Sequence, residues 1–253
     1  MWQEDLTAEV ARALGRRDVV LVRVPAHQGA DWAVMLRPSE DPAALDRIPG
    51  IEHLHLDADR AFLTLTDACR GQVVLAVLTG TAPRGEQVRL VDARARRTAE
   101  GLPDRPLPDR LYPTRLAHAR TAMLLRQAQG HRVLPAGVEA AAALARDWAA
   151  FGHTRREDSR SRRLLLALAG SHVARVRARS QRRGAPVVAN LREVTAAFTD
   201  WFGHMRATPR GSPPPPEDPI MDTYRLNLAL AHATGSVLRT GLHHLGLTAP
   251  EYL

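Results

Sequence analysis

The sequence predicts a mostly α-helical protein, a bundle of five or six helices preceded by a small α+β domain. Three observations carry this expectation. From Tyr112 onward, apolar residues recur at steps of three and four, the period of one helix face. Before residue 66 the apolar runs are short and partly β-branched, with Gly, Pro and Asp between them. Residues 80–112 are rich in Pro, Gly, Arg and Asp, and Pro103, Pro106 and Pro108 exclude a continuous helix there. The expected division is a small α+β domain over 1–90, a linker over 91–111 and a helical domain over 112–253.

In the first part, Glu4 to Leu14 reads as a short helix ending at Gly15. Val19 to Val24 and Trp32 to Leu36 read as strands, and Asp41-Pro42 opens a short helix. Ile51 to Leu56 and Ala61 to Leu65 flank Asp57-Ala58-Asp59-Arg60 as a hairpin. Thr66 or Asp67 caps a helix running to about Leu78. These pieces are expected to make a small sheet with helices on one face.

In the second part, Arg115 to Gln129 is one helix, closed by Gly130, and Ala136 to Phe151 is another. Ser161 to Gln181 carries Leu164, Leu165, Leu168, Val173 and Val176 as its apolar positions, with Gly170 as a candidate break. Val187 to Met205 carries Val188, Leu191, Val194, Phe198 and Phe202. Gly211 to Pro216 forms a stiff, extended connection, because consecutive prolines favour polyproline II. Asp218 is the expected N-cap of the last helix and Pro219 its first residue. Leu226, Leu230, Ala233, Val237, Gly241 and Leu245 line one face of it. Gly246 is the expected left-handed residue after the cap, with Leu247 folding back on Leu242.

Composition excludes several chemistries. All 35 basic residues counted as Lys or Arg are arginine. A lysine Schiff base and a P-loop lysine are therefore ruled out. Cys69 is the single cysteine, too few for an internal disulfide or a cysteine-rich zinc site. His53 with His55, and His243 with His244, lack a third ligand at metal-site spacing. No metal, other cofactor or catalytic residue is expected. No long apolar run and no basic-then-apolar start is found, so a cytoplasmic protein without a membrane span is expected. The net charge of +8 is uneven. Residues 84–210 hold 25 Arg against 11 acids, a net +14, while residues 1–83 and 211–253 are net −4 and −2. Concentrated arginine, densest over Arg155–Arg163 and Arg175–Arg183, is the footprint of a phosphate-rich partner.

Three segments, in order, then resemble one family. LAHARTAMLLRQA, Leu116 to Ala128, resembles the helix that opens the anticodon-binding (DALR-type) domain of arginyl-tRNA synthetases. NLREVTAAFTDWFGHMRA, Asn190 to Ala207, resembles its aromatic helix. RLNLALAHATGSVLRTGLHHLGLTAPEYL, Arg225 to Leu253, resembles its terminal helix and tail. The resemblance covers roughly residues 110–253 and implies an anticodon-binding-type bundle. Residues 51–65 also resemble the last strands of the family's small N-terminal tRNA-binding domain. The family's enzymes carry a nucleotide-binding catalytic domain before the bundle. Here no His-Xaa-Gly-His sequence exists, and the second signature needs lysine. A stand-alone, non-catalytic relative is expected.

The departures bear on recognition. Where the family places aromatic residues before Ala-His-Ala-Arg, this chain has Pro113, Thr114, Arg115 and Leu116, with Tyr112 the only nearby ring. The family's Phe-Tyr is Trp201-Phe202, and its terminal Met is Leu253. A stacking surface survives these changes, while the case for arginine-anticodon readout weakens.

Binding RNA takes arginine for phosphates and flat side chains for unstacked bases. The expected tRNA-binding residues are Tyr112, Arg115, Arg120 and Arg126 on the opening helix, Asn190 at a position the family often fills with Tyr, and Trp201, Phe202, His204 and Arg206 on the aromatic helix. Phe198 reads as core, Trp201 as a stacking residue off that face, and His118 as a packing residue. The leading expectation is a tRNA-binding protein, with arginine tRNA the candidate the family implies. The alternative is a protein-interaction module, or an accessory subunit of a separately encoded synthetase or tRNA-dependent enzyme.

Overall fold

The computed structural model describes residues 3–24, 30–66, 110–131, 159–205 and 219–252, with Cys69, Val77, Val133, Pro209 and Pro215. Among them are α1 (Gln3–Ala13), β1 (Val22–Arg23), β2 (Trp32–Met35), β3 (Ile51–Asp57), β4 (Arg60–Leu65), α2 (Tyr112–Gly130), α3 (Ser159–Gln181), α4 (Ala185–His204) and α5 (Pro219–His244). The mostly helical fold with a small α+β region ahead of it is what the periodicity predicts. The expected helix at Ala136 to Phe151, the extended run at Gly211 to Pro216 apart from Pro215, and the cap Asp218 lie outside the described residues.

The sheet is antiparallel throughout, in the order β1-β2-β4-β3. Its buried face carries Trp32, Val34, Ala61, Leu63 and Leu65, and α1 covers it with Leu6, Val10 and Leu14. Those three positions recur every four residues, which puts them on one side of the helix. The hairpin forms where expected, with Ala58 at a φ of +50° in the turn. Asp41 caps a 3-10 turn, Pro42–Ala44, by accepting from the Ala43 N–H at 2.9 Å. Thr66 Oγ1 accepts from the Cys69 N–H, the bond of a helix N-cap. β1 is only two residues long, shorter than the expected strand at Val19 to Val24.

Two of the expected glycine stops hold, while Gly130 is itself the last helical residue of α2 and His131 is the cap. Gly246 takes φ +73°, its N–H donates to His243 O, and the Leu247 N–H donates to Leu242 O at 3.0 Å. Gly15, at φ +63°, closes α1 by the same pair of bonds. Gly170 does not break α3, and the Asn190 amide of α4 donates to Ala167 O at 3.1 Å beside it. Val176, read as a core position, is exposed. α5 is buried on more than the expected stripe: Leu228, Ala231, Leu238 and Leu242 are covered too, because the helix packs on α2, α3 and α4 together. Gly235 and Gly241 allow that close approach, since a Cβ there would stand 2.6 Å from Thr121 Oγ1 and from Leu191 Cδ2 respectively. No helix among the described residues is long and apolar enough to cross a membrane.

One core runs through both parts of the molecule, from Leu6 and Leu63 to Leu168 and Leu238. Across it, Asp31 is fully buried and accepts from Arg162 Nε of α3 at 2.8 Å and from the Leu65 N–H at 2.7 Å. Asp31→Ala and Arg162→Met should each cost about 3–5 kcal/mol, because each leaves a buried partner uncompensated. The double variant should lose clearly less than the sum, a coupling that urea unfolding of all four forms measures.

Candidate nucleic-acid interface

The interface is built where α2 meets α4. Thr195 Oγ1 of α4 donates to Thr114 Oγ1 of α2 at 3.0 Å, and both are buried. From there α4 carries Phe198 into the core and leaves Phe202 half-buried at the edge. The two rings lie 5.7 Å apart. The Arg120 guanidinium of α2 sits over Phe202, 5.4 Å from the ring centroid. This cation on a half-exposed aromatic ring joins two of the expected binding residues.

The other expected residues are placed differently. Trp201 is 0% exposed. Its ring packs beside Phe198, and its Nε1–H donates to Ser161 Oγ of α3 at 3.1 Å. The expectation that it stacks on bases is therefore corrected: one residue before Phe202 on the helix, it turns about 100° away, into the face that α3 covers. Asn190 is tied into the α3–α4 contact rather than presented outward. Tyr112 is exposed at the start of α2, and Arg115 is half-buried. Arg126 lies about 120° around α2 from Arg120, by helix geometry. It meets the segment after α5, stacking on the Tyr252 ring at 4.2 Å. His204 is exposed and bound to the Asp200 backbone carbonyl at 2.8 Å. Asp200 also draws Arg160 Nε to 3.4 Å and Arg163 Nη1 to 3.8 Å. Arg206 lies outside the described residues. Arg120 is half-buried and Trp201 is buried, so these two do not share an exposed face.

At the far end of α3, Arg177, Arg179, Arg182 and Arg183 are exposed. Arg182 takes φ +48°, closing the helix in the position glycine usually fills. Among the described residues no group of three or more His, Cys, Asp or Glu is arranged to hold a metal ion.

His118 is 1% exposed, as its packing role predicts. Its Nδ1 stands 2.7 Å from Pro250 O. A carbonyl only accepts, so Nδ1 carries the proton. Sequence offered no cue to this bond, which spans 132 residues. Burial holds the His118 pKa below its ordinary value; Arg239 and His243 act in the same direction, while Pro250 O and Glu251 oppose.

Residues 114–253 match the DALR anticodon binding domain, and the chain belongs to that family. An arginine–tRNA ligase of Paenarthrobacter aurescens (strain TC1) is 35% identical over 88 residues, which are 34% of this chain and 15% of the ligase. The arginyl-tRNA synthetase of Thermus thermophilus is 20% identical, with a TM-score of 0.37, over 70% of this chain and 32% of that chain. The chain spans under a third of the length of the solved synthetase, and less of the ligase.

Two outcomes follow from the geometry. Trp201→Ala should cost about 3–5 kcal/mol in urea unfolding, the range for a large aromatic removed from a core. For His118, the unfolded form binds its proton more readily than the folded form. Its contribution is therefore complete above pH 6.5 and is lost as pH falls through the lower folded value. The stability difference between pH 7.5 and 5.5 should shrink in His118→Gln, as unfolding midpoints at the two pH values will record.

Proposed function

We propose that this chain is a non-catalytic tRNA-binding protein, gripping RNA through the α2–α4 seam and the arginine-rich helix α3. The observation that carries the reading is the Arg120–Phe202 pair, a cation and a flat ring presented together at the seam. Such a pair offers one group to a phosphate and another to an unstacked base. The exposed arginines at the end of α3 and the net +14 of residues 84–210 support it, since phosphate contacts supply most sequence-independent affinity. Membership of the anticodon-binding family, and the two tRNA ligases it resembles, make tRNA the favoured RNA. Absence of lysine and of a His-Xaa-Gly-His sequence supports a role without aminoacylation chemistry. The bound tRNA then passes to, or tunes, a separate tRNA-using enzyme.

Filter binding with purified tRNA tests this. With about four phosphate contacts, affinity should fall roughly 50-fold between 50 and 200 mM salt. Phe202→Ala should weaken binding by about tenfold, the range for losing one stacking platform. Weak binding that ignores salt would sink the reading, and aminoacylation by this chain alone would overturn its non-catalytic part.

A further inference from the structure

Two arginines on neighbouring helices are held by the segment after α5. Arg126 of α2 stacks on the Tyr252 ring at 4.2 Å and donates from Nη2 to Glu251 O at 3.2 Å. Arg239 of α5 places Nη2 3.5 Å from Glu251 Oε1. A flat ring over one guanidinium and an anionic oxygen beside the next are the two contacts a nucleotide makes with a pair of arginines, one through its base and one through its phosphate. Resting on the RNA-binding reading above, we propose that Glu251 and Tyr252 form a displaceable strap over an RNA subsite made by Arg126 and Arg239. The strap occupies both arginines in the manner of a nucleotide and leaves them when RNA binds.

The segment is built as an anchor and a tip. Leu247 is buried and hydrogen-bonded to Leu242 O, and Pro250 O is held by the buried His118. The next two residues are exposed: Tyr252 is 72% exposed, and the Glu251 side chain, like that of Arg239, is more than half exposed. Exposed cation–ring contacts and exposed ion pairs are weak and screened by salt. The tip can therefore lift while the anchor stays. Glu251 has the sign of a phosphate, so strap and RNA compete for the same two cations rather than adding to each other. A strap closed about nine-tenths of the time lowers apparent RNA affinity by about tenfold.

The test titrates labelled tRNA at low salt with four chains: wild type, Glu251→Gln/Tyr252→Ala, the same double variant with Arg126→Gln, and Tyr252→Phe. The double variant should bind about five- to tenfold tighter than wild type. Adding Arg126→Gln should cancel that gain. Tyr252→Phe keeps the ring over Arg126 and should stay within about twofold of wild type. Tyr252 is one of three tyrosines, so its ring resonances can be followed by NMR, and saturating tRNA should move them toward the values of an unstacked tyrosine. Salt-dependent binding by wild type with no gain in the double variant, or with unmoved Tyr252 resonances, overturns the strap and leaves the RNA reading standing. No salt-dependent binding by any of the four chains overturns the RNA reading and the strap with it.

Discussion

The buried carboxylate of Asp31 is the polar constraint that ties the N-terminal sheet to the helical part. A carboxylate removed from water is costly unless both oxygens are paired. Here one is met by Arg162 of α3 and the other by the Leu65 N–H of β4, while the Asp31 main chain bonds to Leu63 O and Val24 N. The sheet is thereby locked to α3 in one register. α3 then receives α4 through Ser161 on Trp201 and Ala167 on Asn190. α4 in turn brings Phe202 to Arg120 on α2. The half-buried pair at the seam is thus linked by a chain of contacts to a buried charge in the N-terminal part.

This arrangement divides the arginines by role. Arg162 is almost wholly inside and serves the fold, whereas its neighbour Arg163 reaches outward toward Asp200. Arg120 is shared between packing and presentation, since its stem covers the seam while its head rests on a half-exposed ring. Arg126 and Arg239 face the segment beyond α5. A count of arginines therefore overstates the surface offered to a phosphate-rich partner. The outward groups sit on helices fixed by a common core, and rigid placement of this kind lowers the entropy cost of binding.

Much of the helical architecture is legible in the sequence. The stops at Gly15 and Gly246 are local events, decided by which residue tolerates positive φ, and both appear where the glycines stand. The hairpin at 57–60, the Asp41 cap and the Thr66 cap are local in the same sense. The candidate interface is less legible. Trp201 reads as the better stacking residue because it lies off the Phe198–Phe202 face, yet it is Trp201 that is buried and Phe202 that is half open. Gly170 looks like a break, yet α3 runs through it, because the covering of Leu164, Leu165 and Leu168 outweighs one glycine in the helix. Arg126 looks like a solvated helix arginine until residues 251 and 252, more than 120 positions away, fold onto it.

The amino-acid sequence by itself determined the period of each helix, the places where helices stop, the concentration of positive charge between 84 and 210, and the family to which residues 114–253 belong. Tertiary structure alone decided which side chains face outward. Periodicity fixes the angle between two residues on one helix but not which neighbouring helix covers that angle. α3 covers the side of α4 that carries Trp201 and leaves the side that carries Phe202 half open, because α3 and α4 pack along their length with Leu164, Leu165, Leu168, Leu191 and Val194 buried in the common core.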